Sequence, residues 1–236
     1  MDYIVSADSC GDWLRNIVSL RRSIDLFAEL VDRPTDAQVL AEHELATKPA
    51  RDPMPIISRP FEDASIYDPL RIAIDWPFEH PCSTRYSDGS FGTWYGARTL
   101  ATSVYETVHH FRRNTLASEI AARSREPIYQ ERRVHRVHCS AMLVDLRARC
   151  AEESRLLDPA DYSLCQALGA RLREAALPGV LTRSARDPAG EIVGVFQRDA
   201  LSDPRDVCYL TYSLDAASGR VTVERAPGKV EWRIDQ

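Results

Sequence analysis

Arg85, Tyr95, Glu106 and Ser184 are the residues of this 236-residue chain whose types and settings point to chemistry. Arg85 is followed by an aromatic, Tyr86, and then by a turn-rich run from Ser87 through Gly89 to Gly92. Tyr95 stands on the strand-like stretch after that run, and Glu106 enters the next helical pattern. A strand end, a glycine turn and a helix start brought together make a concave site, with donors for phosphate and an aromatic surface for a flat ring. The planar fork of an arginine suits a pyrophosphate. A second run, from Gly179 to Gly190, sets the Ser184 hydroxyl between Arg183 and Arg186 at a strand end, where it can bond an amide or ribose edge.

Each of these residues also has an ordinary structural reading. Ser103-x-x-Glu106 fits a capping box, worth about 1 kcal/mol to a helix. Tyr95 fits a plain strand aromatic, Arg85 a surface cation, and Ser184 a turn residue bonded to its own backbone. The four together are less easily explained that way. No metal is expected: His135 and His138 would point to opposite faces of a strand, and His109 and His110 diverge on a helix.

Composition narrows the chemistry. Of 30 basic residues 28 are Arg, leaving Lys48 and Lys229. Neither lies in a phosphate-loop setting, so Walker-type, kinase and Schiff-base mechanisms, which need a placed lysine, are excluded. A formal net charge of −5 argues against a broad nucleic-acid footprint, although Arg132, Arg133 and Arg136 could form a local basic patch. The six cysteines lack zinc-like spacing and fit reduced, small core residues. With no signal-peptide pattern at the start and no 18-residue apolar run, the protein is expected to be cytoplasmic and not membrane-bound.

The elements that must position the site follow from periodicity. Two helices are expected between about Asp12 and Thr47, then a proline-rich linker to Pro60; residues 1–60 would form an N-terminal helical extension and residues 61–236 the catalytic domain. Strands are expected over Arg71–Asp75, Thr84–Tyr86, Thr93–Ala97 and, as one long run, Val134–Leu146. Helices are expected over Ser103–Arg113, Leu116–Arg125 and Tyr162–Ala176. The C-terminal part should be strands over Val180–Thr182, Ile192–Phe196, Val207–Leu214, Arg220–Arg225 and Val230–Ile234, with a hairpin loop at Asp215–Gly219. Helices, strands, helices and strands in that order predict an α+β fold with mixed or mostly antiparallel sheets, and no Rossmann glycine motif is present.

Arg85, the Gly89 to Gly92 loop, Tyr95 eleven residues before Glu106, and Ser184 in Ser-Ala-Arg together resemble the RES domain, over roughly residues 65 to 215. Asp145-Leu146 after a long strand and Gln166 in the following helix resemble it too. The family's usual Gly-Gly-Arg-Trp-Asn is here Ser83-Thr84-Arg85-Tyr86-Ser87. The resemblance implies an ADP-ribosyltransferase-like fold and a toxin of a bacterial toxin-antitoxin pair. It implies cleavage of NAD, as substrate, at the nicotinamide-ribose bond, with ADP-ribose passed to phosphate or water. Alternatives are mono-ADP-ribosylation of a nucleotide-synthesis enzyme or a non-catalytic interaction module. It further implies Glu106, Arg85 and Tyr95 as catalytic residues; Arg85, Tyr86, Tyr95 and Ser184 as the NAD-binding set; and an Xre-like helix-turn-helix antitoxin that blocks the NAD pocket, with DNA reached only through that partner.

Overall fold

The computed structural model describes residues 6–19, 69–119, 121 and 124–235. Its centre is a strand where the sequence pattern predicts a helix. Strand β2 (Gly11–Val18) lies between β3 (Trp94–Ala97) and β4 (Ile128–Cys139), paired antiparallel to β4 from Gly11 opposite Cys139 to Val18 opposite Arg132. Trp13 is sealed in a cluster on one face of the sheet, while Leu14 packs against another cluster on the opposite face. A strand covered on both sides has no polar alternation, so Trp13, Leu14, Ile17 and Val18 imitate a helical stripe.

Besides β2 and its neighbours, the sheet contains β1 (Ser6–Asp8), β5 (Met142–Asp145), β6 (Gly179–Arg183), β7 (Glu191–Val195), β8 (Leu201–Leu214), β9 (Val221–Ala226) and β10 (Lys229–Ile234). The order is β1-β5-β6-β7-β3-β2-β4-β8-β9-β10, and among the described residues only the β5–β6 pair is parallel. The fold is thus α+β with a mixed, largely antiparallel sheet, as predicted. Strands β1 and β2, which fall within the expected N-terminal extension, belong to the same sheet as the strands from residue 94 onward. The proline-rich linker and the second expected N-terminal helix lie outside the described residues, and the Leu116–Arg125 helix lies partly outside them.

Helix α1 (Pro69–Glu79) replaces the strand expected over Arg71–Asp75. Pro69 occupies its first position, where a missing N–H costs nothing. Pro77 cannot donate to the carbonyl four residues back, that of Ala73, and the buried Trp94 Nε1 donates to it at 2.8 Å instead. A proline in a helix and a tryptophan on the sheet thus complete each other. The long run over Val134–Leu146 divides into β4 and β5 around Ser140 and Ala141.

On the opposite face from α1 lie α2 (Leu100–Leu116) and α4 (Ser163–Glu174), with a short helix α3 (Arg149–Glu152) and a 3₁₀ turn (Ser154–Leu157) leading into α4. Val104, Val108 and Phe111 of α2 pack on Val134, Leu210 and Tyr212; Leu172 and Cys165 of α4 pack on Val144 and Val180. Arg132 departs from the expected basic patch. It is only 7% exposed, and its Nε donates to Asn16 Oδ1 at 2.8 Å. Asn16 Nδ2 donates to Tyr212 Oη at 2.9 Å, which also meets Thr107 Oγ1 on α2. The network fixes α2 over the centre of the sheet. No helix among the described residues is long and apolar enough to cross a membrane.

Trp94→Phe should cost about 1–3 kcal/mol, the penalty for a buried carbonyl left unpaired. Adding Pro77→Ala, which restores an N–H to Ala73, should recover part of that loss in denaturant unfolding. An additive second loss would show that the two residues are uncoupled.

Candidate active site

The Arg85 loop, between α1 and β3, is held by side chains instead of the strand expected over Thr84–Tyr86. Gln166 of α4 donates from Nε2 to Ser83 Oγ at 3.1 Å, Thr84 O at 2.9 Å and Ser87 O at 3.3 Å. One turn along α4, a Cβ on Gly169 would lie 1.9 Å from Tyr86 O, so only glycine lets the loop rest on the helix. Gly89 sits at φ 107°, a conformation that a side chain would strain. Tyr95 Oη accepts from Tyr86 N at 3.0 Å and meets Thr84 Oγ1 at 3.1 Å, gripping the residues on both sides of Arg85. Burial pushes the Tyr95 phenol above its ordinary range, so it keeps the proton that it donates to Thr84. Arg85 itself donates from Nη1 to Leu156 O at 3.1 Å and stacks 4.5 Å over the Tyr162 ring.

Glu106 does not cap its helix. The N-cap of α2 is Thr99, whose side chain accepts from Thr102 N at 3.1 Å. Ser103 lies inside the helix and donates its hydroxyl to Leu100 O at 2.8 Å. Glu106 is therefore in the second turn, beyond the reach of a capping box, and its Oε1 accepts from Ser184 Oγ at 2.5 Å. The Ser184 oxygen also accepts from Arg186 N at 3.0 Å and Asp187 N at 2.9 Å. With both lone pairs taken, its single proton goes to the carboxylate. The turn reading of Ser184 holds, and the same hydroxyl reaches Glu106 across 78 residues of chain. Asp187 Oδ2 accepts from Thr102 Oγ1 at 2.7 Å, which docks the same turn on the first turn of α2.

One helical turn past Glu106, His109 Nε2 lies 2.9 Å from Arg186 Nη2. Burial, then the charges of Arg186, Arg113, Arg112 and Arg85, lower the His109 pKa to about 4. The Arg85 charge therefore reaches the α2 face that carries Glu106.

Structure thus gathers Glu106 and Ser184 directly, and Arg85 is near enough to act on His109 of the same helix. Tyr95 enters as the brace of the Arg85 loop. Tyr86, expected in the binding set, is corrected: its ring is 0% exposed among Val144, Cys165 and Val180, and only its backbone serves the loop. Asp145 is bound by Arg147, which also reaches Glu191 at the end of β6 and β7 that leads into the Ser184 turn. The sequence offers Arg186 only as a flank of Ser184 and His109 only as one of a diverging histidine pair. Ser184-x-Arg186-Asp187 carries a turn signal, and His109 follows Glu106 at helical spacing, yet neither pattern says that the two meet. Among the described residues no three His, Cys, Asp or Glu side chains are grouped to hold a metal.

The RES domain model matches residues 57–215, more than half of the chain. Among solved structures, the chain is similar to the M. tuberculosis MbcT-MbcA toxin-antitoxin complex, with 19% identity over 52% of this chain and 71% of that chain and a TM-score of 0.39. No curated protein matches.

A depressed histidine pKa gives stability a definite pH dependence. His109 titrates near 4 when folded, against 6.5 for the ordinary imidazole. Between those values the unfolded chain binds more protons, so stability is full above about pH 6.5 and is lost as pH falls toward 4. His110 and His135 shift the same way. Denaturant midpoints should fall between about pH 7 and pH 5, and His109→Gln should narrow the difference; an unchanged difference would remove His109 from the account.

Proposed function

The chain belongs to the RES domain family, and from that premise we propose that it is an NAD-consuming toxin of a bacterial toxin-antitoxin pair. It cleaves NAD at the nicotinamide-ribose bond and transfers ADP-ribose to phosphate or water. The observation that carries this reading is the 2.5 Å hydrogen bond from Ser184 to Glu106, which fixes the direction of a carboxylate on α2.

Departure of nicotinamide leaves positive, oxocarbenium-like charge on the ribose. A carboxylate fixed beside that carbon stabilises the barrier more than the ground state, because the charge is complete only there. Glu106 supplies it through Oε2, which has no hydrogen-bond partner among the described residues. Ser184 holds the carboxylate's other oxygen, so its role is to orient Glu106. Arg85 holds the diphosphate. Tyr95 keeps Arg85 in place and offers its ring to the flat end of the substrate. A protein antitoxin covering this site, with an Xre-like helix-turn-helix part for DNA, completes the pair.

Labelled NAD, incubated with purified protein, with and without phosphate and with cell extract, tests the reading. Rapid NAD loss should fall about 100- to 1000-fold in Glu106→Gln, the usual scale for removing one electrostatic group from a transition state. Ser184→Ala should lose about ten- to a hundredfold, the equivalent of a charge-assisted hydrogen bond. Unchanged NAD in every condition, with wild type and Glu106→Gln alike, would falsify the enzymatic reading and leave a binding module. Label on one extract protein without bulk NAD loss would instead assign the ADP-ribose to a protein acceptor.

A further inference from the structure

Arg186 leaves the turn after β6 and crosses toward α2. Its Nη2 lies 2.9 Å from His109 Nε2 and 2.9 Å from the Pro159 carbonyl oxygen. Neither partner is charged. A carbonyl can only accept, and His109, held neutral by its surroundings, accepts through Nε2 with its proton on Nδ1. No carboxylate pairs with Arg186 among the described residues. Asp158 is close enough to feel both Arg85 and Arg186, but its Oδ1 is engaged by the Ala160 and Asp161 amides. Arg186 Nε is buried without an acceptor, and a buried donor left unpaired costs about 1–3 kcal/mol.

Arg85 is arranged in the same way. Its guanidinium has a carbonyl, Leu156 O, and an aromatic face, Tyr162, and no acid among the described residues. Leu156 and Pro159 belong to one short segment before α4, so two cations are tethered to carbonyl oxygens three residues apart. Several other arginines are neutralised by acids: Arg147 has Asp145 and Glu191, Arg155 has Glu153, and Arg198 has Asp75. Two guanidiniums that both act on the single carboxylate of Asp158 keep a net positive charge, which an anion of two charges relieves. A diphosphate offers two charged groups joined by one oxygen, a match for two planar forks.

We propose that Arg186 is a second anion-binding residue, forming with Arg85 a clamp for the diphosphate of a dinucleotide, and that His109 is the positioning residue whose neutral nitrogen aims Arg186. The clamp rests on the reading of this site as the NAD site. It also makes the Ser184 turn serve both ends of the substrate, since the amide of Arg186 is one of those that orient Ser184.

Calorimetric titrations on the full chain carrying Glu106→Gln test this, with ADP-ribose, inorganic pyrophosphate and inorganic phosphate as separate probes. Arg186→Gln should weaken ADP-ribose and pyrophosphate about ten- to a hundredfold, the scale of a charge-assisted contact. His109→Phe should weaken both about three- to tenfold, and His109→Gln, whose amide oxygen can accept from Nη2, should restore them. Should Arg186→Gln fail to fold, Arg186→Lys supplies the comparison, because an ammonium cannot serve His109, Pro159 and a phosphate in the geometry of a fork. ADP-ribose bound as tightly without the Arg186 guanidinium overturns the clamp. Weakening confined to inorganic phosphate also overturns it and places Arg186 at the acceptor. Pyrophosphate binding that depends on Arg186, with no ADP-ribose binding to either form, keeps the clamp and overturns the NAD reading instead.

Discussion

Ser184 Oγ has one proton and two lone pairs, and the turn that follows it occupies both lone pairs with the amides of Arg186 and Asp187. The proton is left with one acceptor, Glu106 on α2. Through this bond the turn after β6 and the second turn of α2 take a fixed relation, which Asp187 repeats against Thr102. The direction of the Glu106 carboxylate, the height of α2 over the sheet and the path of Arg186 all follow from that relation. A threonine cap at Thr99 makes it feasible: because the helix is already capped there, neither Ser103 nor Glu106 is needed at its end.

The arginines divide into groups by what surrounds them. Arg132 is drawn into the core, where burial lowers its pKa to about 10 and Asn16 and Gln130 receive its donors. Arg147, Arg155 and Arg198 are paired with acids. Arg85 and Arg186 have neutral acceptors only, among the described residues. The excess of arginine over lysine therefore has no single meaning. A guanidinium tolerates such varied surroundings because it is planar, holds its charge and presents five donors, so partial burial can be met by carbonyls and amides as well as by carboxylates.

Much of the fold was legible along the chain. Helices α2 and α4 show apolar residues at helical spacing, and β6, β7, β9, β10 and the second half of β8 are short apolar or alternating runs between turn residues, with the Asp215–Gly219 loop closing on a left-handed Gly219 at φ 71°. The errors fall where both faces of an element are covered or where an apolar run is short. β2 looked helical because Trp13 and Leu14 serve opposite faces, and α1 looked like a strand because Ile72, Ala73 and Ile74 form a run without period. Thr84–Tyr86 looked like a strand although Gln166 and Tyr95 satisfy its backbone from outside. Arg85, Glu106, Tyr95 and Ser184 stand out along the chain through their joint spacing, whereas the buried ring of Tyr86 gives no signal that separates it from an exposed aromatic.

The sequence by itself determined the residue types available for the chemistry: an arginine beside a glycine turn, a glutamate on a helix, a serine at a strand end and almost no lysine. Those are local properties, set by composition and by turn and helix preferences within a few residues. Which arginine enters the core, which faces the site, and whether Glu106 caps a helix or meets Ser184 were decided only by tertiary structure. The deciding contacts join residues 78 apart for Glu106 and Ser184, 77 for His109 and Arg186, and 116 for Asn16 and Arg132. A guanidinium or a carboxylate takes its charge state and direction from the partners that desolvation leaves it, and those partners are chosen when the sheet closes and the helices settle on it.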